Sequence, residues 1–508
     1  MDPLNVVEHE TEIPNHYKYN PIDPTGEIRI LILQPPSSPD EAELHCEITT
    51  AKFSDNLSYE AISYCWGADV FPETLYLPNG TLAVTENLAS GLRRFRLHDQ
   101  PRRLWADAVC INQRDDKEKG HQVALMAEIY RNAECVLVWL GESNETIDAG
   151  IELIRELAHE AWRYGLKYDD FLMWRLQNLQ LKIHDHENGI TVALFRLSTE
   201  KDFTSITAFT KQNWFTRLWV IQEFALAPKV QIINGYNILS HEELFLAMAA
   251  LFLLSRLSDA VSEIVNKRGF VEAWSTVLQR PVHRDLKTDR LLHLLFEHSG
   301  RQCKLDQDRI YGLLALASTG SGTDLDIDYK LSVEEVYTQL AIAHFKENDL
   351  EILHYVHSPK RDRDYSQSTS AKEEDRLALP SWVPDWRPPS FASLFHAPTE
   401  LQAGTKLAPY IAFNTSSPNN LGMEGVRIDI IEDHSPTRLD KSPDGKDLDV
   451  WYLQVVAGLR ALKAMFDQKI ARRPYPTGED PRIAFARCLL LDNKLVGTQK
   501  HLGPDLNT

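Results

Sequence analysis

Three short stretches of the chain combine tryptophan, uncharged polar groups and carboxylates at spacings that suit a small-molecule site. Ser63-Tyr64-Cys65-Trp66-Gly67 closes an apolar run. A glycine there permits positive φ and close backbone approach, and Tyr64 and Trp66 offer flat surfaces for stacking. In Trp105-Ala106-Asp107-Ala108-Val109-Cys110-Ile111-Asn112-Gln113, Asp107 lies inside a hydrophobic run. A carboxylate is costly there unless paired or hydrogen-bonded. Asn112 and Gln113 follow just past the apolar stretch. In the third, Trp214-Phe215-Thr216-Arg217-Leu218-Trp219-Val220-Ile221-Gln222-Glu223, a helical spacing puts Trp219 and Glu223 on one face with Gln222 beside them. A carboxylate held against an aromatic can carry a raised pKa and serve as acid, base or cation stabiliser.

Each stretch also has a plainer reading. Tyr64 and Trp66 can be core aromatics before an ordinary turn glycine. Asp107 can tie down neighbouring backbone while Asn112 caps a turn, and Arg217 can pair with Asp107, leaving Glu223 solvated. The residues alone leave both readings open. Other motif-like spellings carry less. His283-Arg284-Asp285-Leu286-Lys287 opens like a kinase catalytic loop, but Arg290 stands where the metal-binding Asn belongs and no Asp-Phe-Gly occurs. Gly320-Ser321-Gly322 lacks the third glycine of a dinucleotide fingerprint. Cys110 with His121 would make a thiol–imidazole pair, but Cys110 closes an apolar run, and burial raises a thiol pKa. No HExxH, P-loop or GxSxG is present, and no metal site is expected.

These groups need elements to position them. Glu27 to Leu33, Cys46 to Phe53, Tyr59 to Trp66, Arg103 to Cys110 and Cys135 to Leu140 read as strands, and Leu75 to Thr85 as a hairpin turning at Asn79-Gly80. Leu88, Leu92 and Phe95 mark a helix with Asn87 as its cap. Val123, Met126, Tyr130 and Ala133 mark a second, and Ile147 to Tyr164 a third. A helix from Thr216 to Ala227, stopped by Pro228, leads to a strand from Lys229 to Ile233. Short apolar strands separated by helices predict a mainly parallel, doubly wound α/β sheet flanked by helices. Its ligand belongs beyond the carboxyl ends of the strands. Residues 240–350 read as predominantly helical, with a capping box at Ser332-Val333-Glu334-Glu335. A polar loop spans 357–378. A Pro- and Trp-rich strap from Leu379 to Trp386 opens a smaller mixed α/β or β carboxyl-terminal region, in which Leu421 to Ile431 reads as a strand.

The chain has 508 residues, with 54 Lys+Arg against 73 Asp+Glu and a net charge of −19. That acidity argues against tracking nucleic-acid phosphates or holding an anionic membrane by charge. Six scattered cysteines form no CxxC pair and suit a reducing, cytoplasmic setting. The acidic start reads as no signal peptide, and the longest apolar run, Leu244 to Leu254, is too short to span a bilayer.

Together the three stretches resemble the fungal heterokaryon-incompatibility (HET) domain family. The resemblance rests on Tyr59-Glu60-Ala61-Ile62-Ser63-Tyr64-Cys65-Trp66-Gly67, on Trp105 to Gln113 with Gln122-Val123, Met126 and Ile129-Tyr130, and on Arg217, Trp219 and Gln222-Glu223. It extends to Asp308-Arg309-Ile310-Tyr311-Gly312-Leu313-Leu314, to Ser332 to Tyr337 and to the strap. It implies a flavodoxin-like sheet distantly similar to TIR domains, and a role in non-self recognition, innate immunity and programmed cell death. Some TIR domains cleave NAD with a single glutamate. By that likeness Glu223 is the expected catalytic carboxylate and NAD a possible substrate, with no cofactor required. Tyr64 or Trp66 would stack on a ring, and Asp107, Asn112 and Gln113 would bind ribose hydroxyls. Gly67, Arg217 and Gln222 complete the expected site. The rival expectation is a non-catalytic module acting through self-association or other incompatibility proteins. The expected layout is a β-rich extension (1–55) packing on the HET domain (56–240), a helical region (241–356), the polar linker (357–378) and the mixed end (379–508).

Overall fold

The structure, a computed structural model, describes residues 16–38, 41–55, 57–166, 193, 196–197, 200–255, 258–285, 290–318, 320, 322–347, 349–356, 377–387, 411–413 and 421–423. The chain forms two units, Met1–Ser390 and Phe391–Thr508.

The first unit is built on a nine-stranded sheet. Its strands are β1 (Glu27–Leu33), β2 (Leu44–Lys52), β3 (Glu60–Tyr64), β4 (Glu73–Leu77), β5 (Gly80–Val84), β6 (Arg102–Trp105), β7 (Cys135–Trp139), β8 (Val230–Asn234) and β9 (Asn237–Ser240), in the order β5-β4-β2-β1-β6-β3-β7-β8-β9. The four central strands β6, β3, β7 and β8 run parallel, with Glu60 opposite both Leu104 and Cys135 and with Val138 opposite Ile232. Numbered along the chain, that core has the order 2-1-3-4 of the flavodoxin-like doubly wound sheet. Burial explains the parallel pairing. All five residues of β7 are buried, as a strand covered on both faces requires. β1 lies antiparallel between β2 and β6, so the amino-terminal strands belong to the sheet itself. The sheet is therefore mixed, parallel at its centre and antiparallel in most of its flanks.

Helices cover it: α1 (Glu86–Phe95), α2 (Asp107–Cys110), α3 (Asp116–Asn132), α4 (Glu145–Arg163), α5 (Thr204–Thr210) and α6 (Val220–Ala225). The helical region follows with α7 (His241–Leu254), α8 (Asp259–Val265), α9 (Arg268–Asp285), α10 (Leu291–Glu297), α11 (Asp308–Leu314) and α12 (Val333–Lys346). The Ser332–Glu335 capping box forms as expected. The strap is irregular, and its tryptophans pack inward. Trp382 sits edge-on to Phe345 at 5.6 Å and Trp386 stands 5.5 Å from Tyr355.

Three expected elements differ. The run Arg103 to Cys110 is not one strand. β6 stops at Trp105 and the chain turns into α2, where Asp107 accepts the Ala108 N–H at 2.8 Å. A short apolar run is spelled alike for a strand and a buried helical turn. Thr85, not Asn87, caps α1 through the Leu88 N–H. Asn87 instead joins two strand ends, donating to the Cys65 carbonyl at 2.7 Å and accepting from Trp139 Nε1 at 3.0 Å. The helix expected from Thr216 starts at Val220. A single 3-10 turn (Asn213–Thr216) buries Trp214 and Phe215 first, and Arg217 forms a β-bridge with Gln302.

In the second unit, β10 (Ile411–Phe413) pairs antiparallel with β11 (Leu421–Met423). The rest of the expected strand to Ile431, the 357–376 loop and the Leu286-Lys287 end of the kinase-like spelling lie outside the described residues. Among the described residues no helix is long and apolar enough to cross a membrane.

The sheet and α3 are joined by a buried ion pair. Arg29 on β1 donates to both carboxylate oxygens of Glu118 at 2.6 and 2.9 Å and to the carbonyls of Cys110 and Asn20. Removing one partner strands a buried charge. Arg29→Ala is expected to cost about 3–5 kcal/mol, read as a lower denaturant midpoint. Lys304→Ala, which removes an exposed pair with Asp69, should stay within about 0.5 kcal/mol of wild type.

Candidate functional site

The carboxyl ends of β3 and β6 carry a compact polar cluster. β3 is buried to its last residue, and alternation along it puts Ser63 on one face and Tyr64 on the other. Ser63 Oγ donates to Glu223 Oε2, which α6 brings over the strand, and accepts from Trp214 Nε1 at 2.8 Å. Glu223 is only 2% exposed. On the other side, Trp66 Nε1 donates to both oxygens of Asp107, at 3.1 and 3.0 Å. Arg217 donates to the Tyr64 carbonyl at the strand's end. The Tyr64 hydroxyl is buried next to Asp107, and burial together with that carboxylate's charge pushes its pKa up.

Electrostatics follow from burial. Loss of water raises the Glu223 pKa from 4.5 to about 7, against the opposing pull of Arg217 and the Ser63 hydrogen bond. Burial also raises Asp107, opposed by Arg217 and the Trp66 N–H. For Arg217 burial works the other way, but Glu223 and then Asp107 outweigh it and keep the guanidinium charged. Arg217 makes no direct ion pair with either carboxylate among the described residues, so one cation serves two acids. Burial pushes Cys110 up to about 12, which removes the thiol–imidazole idea.

Beside this cluster an open cleft of about 960 Å³ lies past the ends of β3 and β7. The chain connections that leave these two paired strands run in opposite directions along the 2-1-3-4 core, which is where doubly wound sheets hold ligands. Cys65, Gly67 and Leu140 form its strand side. Gly67 turns at φ 78°, a conformation that suits glycine. Facing them are Lys211, Asn213 and Trp214, and the first turn of α4 from Asn144 to Ile147 forms the rim. Asn144 caps that helix by accepting the Ile147 N–H at 3.0 Å.

Of the expected site residues, Tyr64, Trp66, Asp107, Arg217 and Glu223 meet in the cluster, and Gly67 lies on the cleft. Asn112 and Gln113 are tied to backbone. Asn112 Oδ1 accepts the Arg114 N–H at 3.3 Å and Gln113 Nε2 donates to the Asp107 carbonyl at 3.0 Å. Gln222 is buried beside Glu223. Ser63, Trp214, Asn87 and Lys211 were not among the expected site residues. Ser63 was legible from the alternation of its strand and Trp214 opens the third stretch, while Asn87 and Lys211 carried no local signal for the site. The described residues offer one carboxylate–imidazole group tight enough for a metal, Glu41, Glu43 and His45 leading into β2, three strands from β3 in the sheet.

The three stretches thus form one site in space, and comparison with known proteins matches it. Residues 59–223 match the family model described as heterokaryon incompatibility protein (HET). The part of the chain that builds the site is thus similar to the HET domain. A relative, heterokaryon incompatibility protein 6, OR allele, of Neurospora crassa, is 29% identical over 481 residues, covering 82% of this chain and 66% of that protein. The chain therefore spans slightly less than two thirds of that relative's length. No solved structure matches the chain.

The raised Glu223 pKa sets a pH dependence for the fold. The native state binds the proton more tightly than the unfolded chain, so this contribution is present below about pH 4.5 and is lost as pH rises to about 7. Glu223→Gln should flatten that slope and raise stability at pH 8 by on the order of 3 kcal/mol. Denaturant midpoints at acid, neutral and mildly alkaline pH check it.

Proposed function

We propose that this chain acts in fungal non-self recognition, and that its HET domain does so in the cytoplasm by binding a nucleotide of the NAD class in the cleft beyond β3 and β7. The Neurospora relative, a heterokaryon incompatibility protein by name, supports the biological role. The cleft supports the ligand class and is the observation that carries it. It stands at the switch point of a flavodoxin-like core, with a glycine turn, a helix amino terminus, Lys211 and amide side chains around it. The same core order supports the distant TIR likeness.

A second reading, cleavage rather than binding alone, is favoured by one feature. Glu223 titrates near neutrality next to the cleft wall. In that reaction the bond from ribose C1′ to the nicotinamide nitrogen breaks and its electron pair leaves with nicotinamide. Water then adds to C1′ and releases a proton. An ionised Glu223 would stabilise the oxocarbenium-like transition state and take that proton. Death of the mixed cell would follow from loss of NAD. In the binding-only form the nucleotide instead biases self-association or contact with other incompatibility proteins.

Calorimetry of the full chain with NAD tests the site, and chromatography of the mixture tests turnover. NAD is expected to bind, with Lys211→Glu weakening it roughly tenfold or more. If the chain cleaves NAD, Glu223→Gln should keep binding and lose about 10²-fold or more in rate. Binding without turnover in both leaves the sensing form, and absence of binding at millimolar NAD overturns the ligand. Expression in a compatible fungal strain tests the role: heterokaryons should lose viability with wild type, and unchanged viability would contradict it.

A further inference from the structure

Ser63 and Cys65 share a face of the extended chain at the end of β3, and they meet different surroundings. Cys65 lines the cleft, whereas Ser63, two residues deeper, donates to Glu223. One residue belongs to both places. Trp214 lines the cleft, is 1% exposed, and donates its indole N–H to Ser63 Oγ at 2.8 Å. It opens into the cleft through a segment that also borders it, since Lys211, Gln212 and Asn213 directly precede it and Lys211 and Asn213 are exposed. Phe215 and Phe224 meet its ring edge-on, at 5.1 and 6.0 Å.

We propose that Trp214 is a gate, its indole closing the inner end of the cleft over Glu223 until a bound ligand displaces it from Ser63. The hydrogen bonds suit such a movement. Ser63 has a single proton and gives it to Glu223, so departure of the indole removes a donor to Ser63 and leaves the carboxylate's own bond intact. The vacated lone pair of Ser63 would then face the cleft, open to a ligand hydroxyl or amide. A closed gate also keeps water from the carboxylate, which accounts for its titration near neutrality in the ligand-free chain. The inference deepens the function proposed above and rests on it only for the identity of the ligand, since closure is a property of the free protein.

Carbodiimide coupling of carboxylates to glycine ethyl ester, followed by peptide mass spectrometry of the full chain without nucleotide, reads the gate directly. In wild type Glu223 should stay unmodified while the exposed Glu128 reacts. In Trp214→Ala, Glu223 should react at least about tenfold faster with the circular dichroism of wild type retained. Trp214→Phe keeps the aromatic bulk but loses the N–H, and should give an intermediate rise. It decides the matter if the alanine variant does not fold. Reaction of Glu223 in wild type at the rate of Glu128, or no rise in a folded Trp214 variant, overturns the gate. Failure of NAD to bind would sink the ligand assignment and leave this result standing.

Discussion

The central constraint of this molecule is a carboxylate held out of water at the end of its central strand. Glu223 stays within the fold because Ser63 donates to it and Arg217 offsets its charge from the end of the same strand. Neither group suffices alone. A hydroxyl gives one hydrogen bond to a group with about four acceptor sites, and a single guanidinium is shared with Asp107. The result is an acid balanced near its own midpoint at neutral pH, where small movements of Arg217 or water change its charge. Sites of that kind tend to be functional.

The family match ends at residue 223, but the geometry of that carboxylate does not. The helical region holds the third stretch from several sides. Arg280 on α9 donates to the carbonyls of Phe224, Ala227 and Pro228, closing the end of α6 where Pro228 prevents its continuation. Arg301 donates to the Phe215 carbonyl at 2.6 Å and to that of Glu272 at 2.7 Å, with burial lowering its pKa to about 10. Gln302 exchanges backbone bonds with Thr216 and Leu218, and α11 packs Gly312 against Leu218 and Trp219. Buried cations bonded to carbonyls fix backbone without neutralising the nearby acids. The sheet and the helical region therefore share one compact unit, and a change in α9 or α11 has a direct mechanical route to Glu223 and Arg217.

Much of this was legible in the sequence because burial writes a period. The apolar runs of β1, β3 and β7 mark the sheet, and the Ser-x-x-Glu spelling marks the start of α12. The composition of the three stretches marks which strand ends matter. What was not legible is what tertiary partners decide. Trp105 to Cys110 spells a strand equally well, and only the Ala108 N–H taken by Asp107 and the packing of α2 turn it into a helix. Asn87 looks like a cap because its side chain suits one, but Trp139 and Cys65 compete for it from other strands. Asn112 and Gln113 carry ligand-binding groups that the local fold uses up. Trp214 opens the third stretch, but its double position between the cleft and Ser63 depends on an element more than 150 residues along the chain from β3.

All of this rests on Glu223 being buried, singly hydrogen-bonded and close to half-protonated at neutral pH. Difference infrared spectroscopy of the full chain, wild type minus Glu223→Gln, isolates the protonated carbonyl stretch of that one side chain across a pH titration. The account predicts a midpoint near 7, well above the ordinary glutamate value of 4.5. A midpoint at that ordinary value would contradict it, because the carboxylate would then be solvated and the cluster open.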